Sequence, residues 1–225
     1  MSRNDPVATA PGSDFVSLTY FGNRRRLVTM KVALGLKAHS GWAVLVVIGT
    51  AGNELQVVDR RRIELVEEGA AWARQPYHAA ERLNPKEARE VVKRGTAAAY
   101  RIARREIKLT VKRLHEQQHE VVACAVLVAN PMPEWSTEEI LAVHFRMHKA
   151  EGVLFPDALA RAADECGLNL IAIPEKLLNE QAEKKLATPL VEVMKEVMTL
   201  GKRVGAPWGK DQKNAALAAI VALRT

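Results

Sequence analysis

The chain has 225 residues, 48% of them hydrophobic and 26% charged, and carries a formal net charge of +7. That length and apolar share suffice for one large domain with a sizeable core. No apolar run nears the roughly 20 residues that span a bilayer. A membrane protein is therefore not expected, and the cytosol is the expected location. Cys124 and Cys166 are the only cysteines. Two are too few for a disulfide framework or a thiolate zinc motif, and their apolar surroundings predict small core residues.

Residues 1–29 mix Pro, Gly, Ser and Asp without sustained periodicity and end in the basic run Arg24-Arg25-Arg26 before Met30. They read as a flexible basic arm, with Met30 close to an alternative start. From there to residue 225 one domain is expected. Lys31–Leu36 and Gly41–Ile48 read as strands joined by a turn over Lys37–Ser40, and Leu55–Leu65 as a third strand after Gly52-Asn53. The stretch from Gly69 to Pro85 shows no periodicity and reads as irregular. Asn84-Pro85-Lys86-Glu87 then supplies a cap and a first-turn proline for a long helix to about Gln118. Val121–Ala129 is a nearly unbroken apolar run, as in a strand covered on both faces.

Ser136-Thr-Glu-Glu139 has a capping-box pattern, opening a helix to about Lys149, and a separate helix is expected from Pro156 to Cys166 after Gly152. Asn169–Ile173 reads as a fifth strand, followed by helices over Lys176–Leu186, Pro189–Leu200 and Lys210–Leu223. Three antiparallel strands and then two parallel strands reached through helical crossovers predict an α/β domain of ribonuclease-H-like topology, a mixed five-stranded sheet flanked by helices.

In such a sheet, chemistry collects at the carboxyl ends of the strands. Lys37, His39 and Ser40 stand in the first hairpin, Asn130 follows the fourth strand, and Asp211 and Lys213 open the last helix. His144, His148 and Glu151 fall at i, i+4 and i+7 on one helical face, a spacing at which two imidazoles and a carboxylate can share one divalent ion. The glutamate that follows the first histidine in zinc peptidases is missing from His144-Phe-Arg-Met-His148. Tyr77, His78 and Glu81 read as a surface loop, and His115 and His119 as surface cations at a helix end. The four tryptophans are too dispersed to form a base-stacking stripe. No Gly-Lys-Ser/Thr loop is present, which excludes a P-loop NTPase.

Three segments carry a resemblance: Lys31-Val-Ala-Leu-Gly-Leu-Lys-Ala-His-Ser-Gly-Trp-Ala43, the His144-x3-His148-x2-Glu151-Gly152 helix, and Pro207-Trp-Gly-Lys-Asp-Gln-Lys-Asn-Ala-Ala-Leu-Ala-Ala219. From Met30 onward the chain resembles a group of uncharacterised bacterial proteins. More distantly, its first hairpin and last helix resemble those of RuvC-type, ribonuclease-H-like nucleases. That resemblance implies acidic residues on the first strand and last helix holding two metal ions around a phosphate. Asp211 matches the last-helix carboxylate, whereas Leu36-Lys37 stands where the first-strand acid belongs.

The leading expectation is thus a nucleic-acid-associated protein, in its catalytic form a divergent metal-dependent nuclease or phosphodiesterase. His144, His148 and Glu151 would hold one Mg²⁺, Mn²⁺ or Zn²⁺ ion. Asp211 would be a further ligand or base, His39 the general acid, and Lys37, Lys210 and Lys213 the phosphate anchors. Two alternatives stay open: a non-catalytic binding or assembly module that keeps the fold, and an enzyme acting on a small anionic substrate. DNA or RNA is the expected partner, and a homodimer the expected assembly.

Overall fold

The computed structural model describes residues 29–52 and 54–225. All but the last residue of the expected N-terminal arm lies outside them. Strands β1 (Lys31–His39), β2 (Trp42–Ala51) and β3 (Glu54–Glu64) form an antiparallel meander. A turn of 3₁₀ helix over Ala71–Arg74 and the short helix α1 (Pro76–Ala80) lead to α2 (Pro85–Glu116). Then come β4 (Glu120–Val128), α3 (Thr137–Leu141), α4 (His144–Glu165) and β5 (Leu170–Pro174). Helices α5 (Leu178–Leu186), α6 (Leu190–Val204) and α7 (Lys210–Arg224) complete the chain. The strand order is β3-β2-β1-β4-β5, with β4 parallel to β1 and β5 parallel to β4. This is the ribonuclease-H-like arrangement that the order of elements predicts.

Period-two alternation divides the sheet between two cores. Val32, Leu34 and Leu36 of β1, with Leu45, Val47, Cys124 and Val126, face α2 and α4. Ala33, Val44, Val46, Ala123 and Ala125 face the other way, toward α5, α6 and α7. Gly35 lies on this second face, and a Cβ there would sit 1.9 Å from the carbonyl oxygen of Ala215. Helix α7 therefore lies against the β1 backbone, and its small residues Ala215, Ala216, Ala218 and Ala219 are fully buried in that contact. The side-chain-free strand position and the alanine-rich helix answer each other, which accounts for two of the conspicuous sequence segments.

Three expectations need correction. Strand β1 runs on to His39, so the hairpin turn is Ser40-Gly41 and both Lys37 and His39 belong to the strand. The helix opened by Ser136 ends at Leu141, and α4 starts afresh at His144. Helix α4 then continues through Gly152 and Pro156 without a break. A proline inside a helix crowds the carbonyl four residues back and removes one hydrogen bond. Here Gly152 occupies that earlier position, and a Cβ on it would touch nothing within 4 Å. Burial of Met147, Leu154, Phe155, Ala158 and Leu159 outweighs the one lost bond.

The irregular stretch also contains structure. Asn84 caps α2 as expected, accepting from the Lys86 and Glu87 amides at 3.1 and 3.0 Å. Upstream, α1 lies close against α2 at Gly95, where a Cβ would come within 2.7 Å of the Pro76 ring. This near contact fixes where α1 presents its side chains.

Candidate functional site

Two groups of polar residues gather at the carboxyl end of the parallel strands. The first is built from β1, β5 and α7. Because Gly35, Lys37 and His39 alternate onto one face of β1, the strand that touches Ala215 also directs Lys37 and His39 toward the start of α7 and the end of β5. The Lys37 ammonium forms an ion pair with Glu175. His39 Nε2 lies 3.0 Å from Asp211 Oδ2. That approach is at ion-pair distance but off the line of a hydrogen bond, leaving Nε2 buried without a hydrogen-bond partner among the described residues. The His39 ring stacks on Trp42 at 4.2 Å, and the Arg62 guanidinium lies 4.1 Å from the centre of the same indole.

Beside these pairs a cleft of about 780 Å³ opens between the ends of β4 and β5 and the first turns of α4 and α7. Lys149, Lys176 and Lys210 line it, together with the amides of Asn130, Asn179 and Asn214. Glu175 is its one acidic lining residue, and that carboxylate is the one paired with Lys37. None of the three lysines pairs with a carboxylate among the described residues. Phe145 stands on the rim with 71% of its surface exposed. Lys213 is not among the lining residues.

The second group centres on α1 and α4. One ring nitrogen from each of His78, His144 and His148 lies within 4.8 Å of the others. The Nε2 atoms of His144 and His148 are 3.0 Å apart. Glu151, expected to share an ion with His144 and His148, instead turns behind His78. Its carboxylate is 3% exposed, and it accepts the His78 backbone N–H at 3.1 Å while its other oxygen lies 2.7 Å from His78 Nδ1. A position one turn beyond His148 faces α1 rather than the two imidazoles. Burial, and then the negative charge of Glu151, push the Tyr77 hydroxyl above its ordinary pKa. Sequence reasoning left His78 in a surface loop because its stretch lacks periodicity. The available signal was Gln75-Pro76-Tyr-His-Ala-Ala80, a proline at a first helical position followed by helix formers.

Among the described residues, neither Asp211 nor Glu175 joins a group of three or more potential metal ligands. The two-ion arrangement implied by the RuvC-type resemblance does not fit these residues. A lysine holds the first-strand position, and each nearby carboxylate already faces a cationic or potentially cationic partner. Imposing two divalent ions would require displacing both pairs and placing an ammonium against the metals.

Among the described residues, several arginines of β3 and α2 are spent within the molecule. Arg60 donates to the carbonyls of Gly205 and Pro207 at 2.7 Å, bracing the loop before α7. Arg61 donates to Thr110, Arg62 pairs with Glu64, and Arg113 pairs with Asp59. On α2, Arg101 and Arg104 meet Glu67 and Glu165. The net positive charge therefore does not form one bare stripe along α2. Burial carries the Cys124 thiol up to about 12, and burial also raises Cys166, so neither resembles an activated nucleophile. No helix among the described residues is long and apolar enough to cross a membrane.

No family model matches the chain, and no curated protein sequence does. Among solved structures the chain is similar to Thermus thermophilus RuvC, with a TM-score of 0.44 and 14% identity over 84% of this chain and 92% of that one. It is also similar to T. thermophilus RuvC in complex with Holliday junction substrate, with a TM-score of 0.43 and 14% identity over 85% and 91% of the two chains. The fold assignment stands on the strand order itself, that of a ribonuclease-H-like sheet.

Proposed function

We propose that this protein binds the phosphate backbone of nucleic acid in the cleft at the carboxyl ends of β4 and β5, without cutting it by a two-metal mechanism. The observation that carries the reading is the charge of that cleft: three lysines free of carboxylate partners among the described residues, with the one acidic lining residue neutralised by Lys37. Ammonium groups and amide N–H₂ donors suit phosphate oxygens. The N-terminal turn of α7, which contributes Lys210 and Asn214, adds a favourable dipole. Phe145 offers an exposed ring on which an unpaired base can stack, which favours a nucleic acid over a free small anion. In this reading Lys210 keeps its phosphate-anchoring role, Lys149 and Lys176 join it, and Lys37 acts indirectly by cancelling Glu175. His39 and Asp211 brace each other rather than serving as acid and base.

The test is incubation of metal-stripped protein with single-stranded, duplex and branched DNA and RNA, with EDTA or with Mg²⁺, Mn²⁺ or Zn²⁺. Binding in EDTA and intact strands under every metal are the expected results. Strand cleavage that needs Mg²⁺ or Mn²⁺ and disappears in Asp211→Ala would overturn the reading in favour of a divergent nuclease.

A further inference from the structure

We propose that His78, His144 and His148 form a binding site for a divalent transition ion of the Zn²⁺ class, with Glu151 as the residue that positions the His78 ring. Its three ligands are not among the residues that line the phosphate cleft, although the first turns of α4 serve both, and the argument for it does not rest on the proposed function.

The local sequence explains how three imidazoles come together. His144 and His148 are one turn apart at the start of α4, so their rings project side by side. His78 arrives from α1, held by the close contact of Pro76 with Gly95. The rings of His78 lie 5.2 Å from His144 and 4.7 Å from His148, centre to centre. Ligand nitrogens on a tetrahedral zinc ion at about 2.0–2.1 Å stand about 3.4 Å from each other. The 3.0 Å between the His144 and His148 Nε2 atoms, and the 4.8 Å bound on all three nitrogens, reach that geometry by small ring rotations.

The carboxylates around the rings fix which nitrogens are available. With the His78 Nδ1–H donating to Glu151, the lone pair of His78 is left on Nε2. His144 Nδ1 faces Glu81 at 3.9 Å, beyond hydrogen-bond length, while its Nε2 meets His148. A histidine whose second nitrogen is held by a carboxylate is the recurrent arrangement of imidazole metal ligands. The burial of Glu151 adds an independent observation. Its carboxylate is almost sealed from solvent, and both of its hydrogen-bond contacts among the described residues go to His78. Such a group is expensive to bury unless it fixes something.

The donor set selects the ion. Three neutral imidazoles suit Zn²⁺, Co²⁺, Ni²⁺ or Cu²⁺, whereas Mg²⁺ and Ca²⁺ prefer oxygen ligands. His144 is 63% exposed on its side chain, so the fourth coordination position opens to water. The site therefore has three protein ligands and one exchangeable position.

Isothermal titration of the metal-stripped protein with Zn²⁺, and with Co²⁺ followed by its visible absorption, tests this directly. One Zn²⁺ per chain with a Kd below about 10 µM and a Co²⁺ band typical of four-coordination are expected, with no response to Mg²⁺. At a hundredfold excess over Kd, Zn²⁺ should raise Tm by about 5–10 °C. His144→Ala and His148→Ala change exposed residues, so both should fold and lose at least about a hundredfold in affinity. Glu151→Gln should weaken binding about 10- to 100-fold without abolishing it. Binding no tighter than about 1 mM, or tight binding that survives the His144→Ala/His148→Ala double change, would overturn the site. Nucleic-acid binding by His148→Ala should match the unaltered protein, so failure here and failure of the phosphate cleft are separately visible.

Discussion

The groups on the β1/α7 side and on the α1/α4 side contain similar residue types, yet one is closed and the other open. Around β1, Lys37 meets Glu175 and His39 meets Asp211, so each carboxylate already faces a partner inside the protein. Around α1, nitrogens of three histidines converge on one another, while the nearby carboxylates sit behind the rings. Ionisable side chains at the expected edge of a sheet therefore do not by themselves define a metal centre. What matters is whether their lone pairs meet each other or meet a partner. That criterion is the basis for the two proposals, phosphate at the lysine cleft and a metal at the histidines.

The contrast can be broken one side at a time, because His39 and Asp211 are carried by β1 and α7 whereas the histidines are carried by α1 and α4. The largest effect is expected from Gly35→Val. Its side chain would run into the Ala215 carbonyl, backbone that cannot turn aside, and drive α7 off β1. A loss of about 3 kcal/mol or more is expected, read as a Tm drop of at least about 6 °C or failure to accumulate folded protein. Near-normal stability would show that α7 is not held as described. Gly95→Ala is the counterpart on the other face. A methyl group 2.7 Å from the Pro76 ring should shift α1, cost about 1–3 kcal/mol and weaken Zn²⁺ binding, while leaving nucleic-acid affinity within about twofold. Equal damage to both affinities would contradict the separation of the two groups.

A smaller effect concerns the clasp between α2 and α4. Tyr100 donates to Asp157, and the Arg161 guanidinium lies 4.6 Å from the tyrosine ring. Burial, then the hydrogen bond to Asp157, raise the Tyr100 hydroxyl to about 12. The folded state thus holds this proton more tightly than the unfolded chain does. The clasp contributes fully below pH 10 and is lost as the pH climbs from 10 toward 12. Melting curves over that range should decline more steeply for the unaltered protein than for Tyr100→Phe. Identical slopes would remove Tyr100 from the account.

The sheet was legible in the sequence because strand signals are local: alternation in β3, an unbroken apolar run in β4, and turn residues between the first strands. Strand and helix order placed His39 and Asp211 at the same edge, but not their pairing with each other. The continuity of α4 was hidden, since Pro156 and Gly152 each resemble a break when read singly. Burial of the apolar face on either side of them carries the helix through both. Glu151 was placed on the correct helix but assigned the wrong neighbour, because spacing along one helix cannot show what packs against its third turn. His78 lay beyond local rules altogether. Its role depends on how α1 meets α2 and α4, a tertiary contact that no short window contains.

The central claim is that the cleft at the ends of β4 and β5 offers a nucleic acid unpaired lysines and not a two-ion metal centre. The most direct measurement is fluorescence anisotropy of a labelled single-stranded DNA in EDTA over a salt series, comparing the unaltered protein with Lys176→Ala/Lys210→Ala. Single-strand binding through about three phosphate contacts predicts a log Kobs against log salt slope of about −2, falling by more than half in the double variant, with affinity reduced at least about tenfold. Binding that requires Mg²⁺, or a slope and affinity unchanged by removing both lysines, would contradict the claim.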